Sequence, residues 1–331
     1  MALLSFIIIG LVLMFSQTQR AFKQSLTDAD LLENGRAVME LMVRDLAEAA
    51  PADVSNAVNF YVEFPQPTEP IYTPPLLQAL PGTAAPPQLW TNYLQPFFFL
   101  SRPNEVWPDR TWAGIGYYVV PDVPGVSGVG IGTLYRYAAT NDTLPALPGA
   151  LITPASILTP RCFLMDAFPN SFASAVLTMR TDTSPAPLTA PMSAVTRIAD
   201  GVVDLRVRPF ATNGFPIVSD LNPLSYGYTV FLANFISNGV YESFPQQIIQ
   251  ATNHLNTRCP DAYDSCWFFS NAMPAYVELE LGILESQTYQ SYKAIVSANP
   301  AAAAAFLSNH VAQVHLFRQR VPIHNVDPSA Y

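Results

Sequence analysis

No proline occurs in the first fifty residues of a chain that holds 31 of them, so the opening stretch is where an uninterrupted helix can run. Pro51 then stops it. Residues 2–15 read Ala-Leu-Leu-Ser-Phe-Ile-Ile-Ile-Gly-Leu-Val-Leu-Met-Phe, without a charge. As a helix this run extends about 21 Å, short of the roughly 30 Å hydrocarbon core of a bilayer. No positive residue precedes it and no small-x-small cleavage site follows it, which argues against a secretory signal peptide.

The helical pattern continues beyond the greasy run. Phe22, Leu26 and Ala29 make one stripe, and Leu31, Val38, Leu41, Met42, Leu46 and Ala49 make the next, near a 3.6-residue period. Arg36–Glu40 and Glu40–Arg44 are opposite charges four residues apart on the outer face. The spacing predicts one helix of about 48 residues, about 70 Å long, far beyond a typical globular helix. Its front half, through Leu3, Leu4, Phe6, Ile7, Ile8, Ile9, Leu11, Val12, Leu13 and Phe15, is expected to meet lipid or sister helices. Its rear half is expected to pack on a head through Leu31, Val38, Leu41, Met42 and Leu46. The chain therefore divides into a helix, residues 1–50, and a head, residues 51–331. A single-span anchor with a helical stalk is the plainer alternative.

The head reads as β-rich. In Val202-Val-Asp-Leu-Arg-Val-Arg, Val203, Leu205 and Val207 alternate with Asp204, Arg206 and Arg208. In Tyr276-Val-Glu-Leu-Glu-Leu, Val277, Leu279 and Leu281 read as inward and Glu278 and Glu280 as outward. One-sided strands of this kind suit an antiparallel sheet lying on a helix. Pro-rich stretches over residues 64–87, 144–160 and 183–191 read as surface loops, while residues 286–298 and 301–309 read as helices.

The charge balance excludes one class of partner. Charged residues make up 12% of the chain and the net charge is −9, with no run of Lys and Arg, so a nucleic-acid backbone would be repelled. Cys259 and Cys266 are close enough in sequence to close a disulfide loop in an oxidising compartment, the alternative being inert thiols, and Cys162 stands apart.

Several residue patterns carry a resemblance. Leu32-Glu-Asn-Gly-Arg-Ala-Val-Met-Glu-Leu-Met-Val-Arg-Asp-Leu resembles the helix of PilW-like minor pilins and of J-type pseudopilins of type II secretion, where an E-N-G-R segment leads into the globular head. The preceding Met-Ala-Leu-Leu-Ser-Phe-Ile-Ile-Ile-Gly-Leu is similar to the later part of the hydrophobic segment of pilins. Gly116-Tyr-Tyr-Val-Val, Gly132-Thr-Leu-Tyr-Arg-Tyr-Ala, residues 198–208, residues 274–281 and the tail Phe317-Arg-Gln-Arg-Val-Pro-Ile-His-Asn resemble strands of such heads, in the family's order. The prepilin motif Gly-Phe-Thr-Leu-x-Glu is missing, so either residues upstream of Met1 complete the segment or the chain is not processed.

The resemblance implies an α+β, pilin-like fold: a long N-terminal α-helix packed on an antiparallel β-sheet head with Pro-rich loop insertions. It implies a structural minor pseudopilin or pilin of a type II secretion or type IV pilus-like fibre, acting in tip assembly and protein export, and not an enzyme. The expected location is the inner membrane, single-pass, with the head in the periplasm or extracytoplasmic space. The expected partners are other minor subunits, the major fibre subunit, the inner membrane and secreted cargo.

No cofactor or metal is expected. Gly125-Val-Ser-Gly-Val-Gly-Ile-Gly132 precedes a strand-like segment, not a helix, and reads as a hairpin loop in preference to a phosphate cradle. His254, His310, His315 and His324 lack metal-ligand spacing. The pairs Asp200/Asp204 and Asp261/Asp264 are either calcium ligands with loop carbonyls or solvated turn residues. The rival reading, a membrane-tethered extracytoplasmic enzyme or ligand-binding protein, requires a convergent polar site that no motif supplies.

Overall fold

The computed structural model describes residues 2–52, 54–64, 76–79, 89–102, 112–122, 130–141, 163–164, 167, 172, 175–176, 194–210, 214, 264–270 and 272–324. Helix α1 spans Ala2–Ala47. Its end is satisfied by backbone from the sheet: Ala50 N–H donates to the Leu100 carbonyl at 3.0 Å, and Arg102 N–H to the Glu48 carbonyl at 3.2 Å. Within the last turn the open Asp45 and Leu46 carbonyls accept from Glu48 and Ala49 N–H at 3.3 and 3.0 Å, and the sheet bonds hold the residues that follow.

The strands are β1 (Val54–Phe64), β2 (Leu76–Ala79), β3 (Leu89–Asn92), β4 (Phe97–Ser101), β5 (Ala113–Pro121), β6 (Gly132–Thr140), β7 (Val195–Phe210), β8 (Asp264–Ser270), β9 (Tyr276–Leu284) and β10 (Val314–Pro322). Between the last two lie α2 (Ser286–Val296), α3 (Pro300–Ser308) and a 3-10 turn, Val311–Gln313. Eight strands make one sheet in the order β10-β9-β7-β6-β5-β4-β1-β8, and β2 and β3 pair separately. All these strand pairings are antiparallel.

Strand β4 shows why the sheet is a true middle layer. Its Phe-Phe-Phe-Leu-Ser is buried throughout, a pattern that needs cover on both faces. Phe97 and Phe99 belong to the cluster on the helix side, with Met42, Leu46, Tyr117, Leu205 and Leu279. Phe98 and Leu100 belong to a second cluster on the opposite face, with Tyr118, Phe163, Ala167 and Phe172. A third cluster joins α2 and α3 to Leu76, Ile131, Val203 and Leu284.

The expected pilin-like fold class is corrected by this architecture. The chain is dominated by a curled, strand-rich antiparallel sheet. That sheet is covered on its second face by other parts of the chain, where a helix-on-sheet head leaves that face to solvent. Nor does α1 lie along the sheet as a whole: Leu31, Val38, Met39, Met42 and Leu46 meet the core, whereas the described apolar residues before position 30 are exposed. The physical reason is strand sequence that is apolar on both faces: a helix on one side leaves Phe98, Leu100 and Tyr118 on the other to be covered from elsewhere in the chain.

The expected single-pass inner-membrane location is corrected as well. Among the described residues no helix is long and apolar enough to cross a membrane. The uncharged run gives way at Ser16-Gln-Thr-Gln-Arg to polar sequence, before it reaches the roughly 30 Å a bilayer core demands.

Two inward–outward assignments also change. A register shift between Val202 and Asp204 puts Val202 in the helix-side cluster and Val203 in the third cluster, so Val203 does not share a face with Leu205. Glu278 and Glu280, read as outward, are 2% and 5% exposed. Arginines from the neighbouring strands lie across them, as described below.

Candidate functional site: the apolar front of α1 and its seat

The front of α1 is bare. Ile8, Ile9, Leu11, Val12, Leu13, Met14 and Phe15 are all more than half exposed, from 52% at Ile8 to 69% at Met14. These positions are nearly consecutive, so at 100° per residue they cover every side of the helix. The side chains of Leu3, Leu4, Phe6 and Ile7 lie outside the described residues, although the backbone there is helical. Burying one such side chain is worth about 1.5–3 kcal/mol, so the row constitutes a strong drive toward enclosure.

The rear of α1 is seated by shape, then by charge. Leu31, Val38, Met42 and Leu46 are buried in the sheet cluster, and Leu41 is half-buried at its margin. Phe317 of β10 fills the notch left by the missing side chain of Gly35. In the last turn of the helix, the buried Asp45 carboxylate accepts from Tyr117 Oη and from Arg136 Nε, both at 2.6 Å and both on Oδ2. Burial, and then the Asp45 charge, push the Tyr117 hydroxyl far above its usual range. Although burial opposes it, the Asp45 bond raises the Arg136 pKa, which keeps that guanidinium charged.

A charged grid occupies the opposite face of β7, β9 and β10. In register, Arg206 faces Glu280 and Glu280 faces Arg318, while Arg208 faces Glu278 and Glu278 faces Arg320. Glu278 accepts from Arg208 at 3.0 Å, Arg318 at 2.6 Å and Arg320 at 2.9 Å. Burial pushes the Glu278 carboxyl up, but these three guanidiniums outweigh it and hold the group below its usual range. This is a cross-strand clasp, and sequence reasoning missed it because alternation alone marked each residue as solvent-facing.

The remaining polar candidates do not converge. Asp200 is bound by Arg197 and by Thr133 Oγ1, and Asp204 is fully buried and bonded to Tyr93 N–H, so the pair forms no calcium bowl. Asp261 lies outside the described residues, and Asp264 starts β8. His310 donates through Nδ1 to the Phe306 carbonyl at 2.5 Å and stacks on the Phe306 ring. Among the described residues no group of three or more His, Cys, Asp or Glu is placed to hold a metal. Cys259 and Cys162 lie outside the described residues, while Cys266 pairs by backbone with Val62. Residues 125–129 of the glycine-rich stretch lie outside the described residues, and its end, Gly132, starts β6.

Neither a family model, nor a curated protein, nor a solved structure matches this chain.

Proposed function

We propose that the chain is a structural subunit of a pilus-like fibre, of the type II secretion or type IV pilus kind, acting through assembly and not catalysis. The single observation that carries this reading is the helix exposed on all sides at residues 8–15, continuous with a rear half locked onto the head. An apolar rod with no covering face is stable only when several partners surround it, and neighbouring helices of a fibre core do so. The likeness of residues 32–50 to the helix of minor pilins and J-type pseudopilins supports the same choice. A head of this size suits a low-copy position near the tip better than a repeating shaft position. Its partners are then the helices of other minor subunits and of the major subunit, and secreted cargo meets the head.

The test is photo-crosslinking from Ile9 and Val12 in the full chain within producing cells. Crosslinks into the apolar helices of other fibre subunits are expected. Crosslinks confined to lipid, or none at all, overturn the reading.

A further inference from the structure

Strand β10 forms one edge of the eight-stranded sheet, with β9 on its inner side. Its nine residues, Val314 to Pro322, pair with Leu284 to Tyr276 in one unbroken register. Two bonds just beyond the strand fix which way its backbone groups point. Ile323 N–H donates to the Ala275 carbonyl at 3.0 Å, and the Gln313 carbonyl accepts from Glu285 N–H at 2.9 Å. Backbone groups alternate along an antiparallel strand, so the odd-numbered residues of β10 face β9 and the even-numbered ones face outward. The N–H and C=O groups of Val314, Leu316, Arg318 and Arg320 therefore line the outer edge. Among the described residues none bonds to them.

The side chains of the same residues share the face turned away from α1, because Phe317, between two of them, is the one that seats on Gly35. Leu316 is 51% exposed, and among the described residues outside α1 it is the only large apolar side chain left so open. Next to it, Arg318 and Arg320 are 56% and 63% exposed. They reach Glu278 through Nη2 and Nε respectively, which leaves other N–H donors of each guanidinium turned to solvent. The carboxyls that balance them lie one strand further in, since Glu278 and Glu280 of β9 are both buried. The charge presented at the rim is therefore positive, on a chain whose net charge is −9. Arg320 also lies over the Phe210 and Tyr276 rings, at 5.6 and 5.7 Å, which arranges its fork in advance.

An open row of backbone donors and acceptors is matched by another extended backbone. Two guanidiniums at alternate positions, about 7 Å apart along the strand, match carboxylates at the same spacing. We propose that the outer edge of β10 takes an extended acidic segment of a partner protein as a further antiparallel strand, its carboxylates opposite Arg320 and Arg318 and an apolar side chain opposite Leu316. A second copy of β10 does not fit this place. Full overlap of two such strands sets Arg318 against Arg318, and like charges directly opposite repel. The arginines thus close the edge to self-association and leave it open to an acidic chain. The other edge of the sheet lacks these features: β8 carries an aspartate and no cation, and pairs with β1 through register shifts. The inference is independent of the assembly proposal, since it uses no residue from the front of α1.

The experiment titrates the full chain with a labelled synthetic peptide, Thr-Glu-Thr-Glu-Thr-Val-Thr, whose order complements β10 read backwards from Val321 to His315. Saturable binding with a Kd below about 1 mM is expected, weakening as salt rises. Amide hydrogen exchange should slow at Leu316, Arg318 and Arg320 when the peptide is bound. Lysine in place of both peptide glutamates should abolish binding. N-methylation of the peptide's Glu and Val amides, which keeps its charge and removes its strand-forming donors, should abolish it too. Arg318→Gln combined with Arg320→Gln should weaken binding about tenfold, as expected of two exposed ion pairs. If that variant does not fold, the two altered peptides and the exchange data on the wild type decide. Overturning results are no binding of the acidic peptide, equal binding of the lysine or N-methylated peptide, slowed exchange only outside β10, or a folded double variant that binds as the wild type does.

Discussion

The ring of Phe317 occupies the volume that a side chain on Gly35 would require, so an aromatic side chain of the edge strand β10 seats directly on the backbone of helix α1. This contact sits near the start of the seated half of α1 and explains a glycine in the middle of a helix, where it costs about 1 kcal/mol relative to alanine. Gly35→Ala should therefore destabilise the protein, reversing the gain expected of such a change in an open helix, by about 1–3 kcal/mol. Thermal unfolding measures it, and Phe317→Leu in the same chain should recover part of the loss. A Gly35→Ala protein as stable as the parent would refute the contact.

The Asp45–Arg136–Tyr117 cluster fixes the rotation of α1 on the sheet. Asp45→Ala leaves the Arg136 charge, on a side chain 24% exposed, without its carboxylate. A loss of about 3 kcal/mol is expected, typical of removing one partner from a buried pair. Asp45→Asn, which preserves shape and an acceptor, should cost less. Chemical denaturation of the two variants beside Tyr117→Phe separates charge from packing.

The three-arginine clasp on Glu278 makes stability depend on acid. Because the folded carboxyl is held below its usual value, its contribution is complete above that value and is lost as pH falls through the folded pKa. Below the ordinary value of 4.5, wild-type stability should decline more steeply than that of Glu278→Gln. Melting temperatures measured from neutral to acid pH test the difference, and parallel curves would remove the clasp from the account. Asp204 acts with the opposite sign. With its carboxyl raised to about 7, its contribution is present under acid conditions and is lost as pH rises toward and through neutrality.

Assembly and folding should separate at the front of α1. Leu11 is 61% exposed and touches no part of the core, so Leu11→Asp should leave the melting temperature of the head unchanged. Enclosure of an unpaired carboxylate among apolar helices is prohibitive, so incorporation into any fibre should be abolished. Met42→Asp, buried in the sheet cluster, should instead prevent folding. Circular dichroism and fractionation of assembled material distinguish these outcomes.

Much of the local structure was legible in the amino-acid order. The absence of proline before Pro51 and the 3.6-residue stripe through Leu31, Val38, Met42 and Leu46 determined a helix with one seated face, because periodicity is a property of neighbouring residues. The helices around Pro300 were legible for the same reason, with Pro300 opening α3 behind the capping side chain of Asn299. What lies on either side of a sheet is not a local property. Alternation marked Glu278, Glu280 and Asp204 as outward, yet only the pairing of β7, β9 and β10 brought arginines over them. Likewise the bulge after Val202 exchanged the face of Val203, and the burial of Phe98 beneath Phe172 depended on chain far away in sequence. The sequence by itself determined where α1, α2 and α3 run, that β7 and β9 are extended, and where the chain is bare of charge. By contrast β2, with Leu76 and Gln78 buried inside a stretch that reads as surface loop, was decided by its pairing with β3. Tertiary structure alone decided which charges are buried together, because desolvation and pairing depend on contacts between strands that no short stretch of residues encodes.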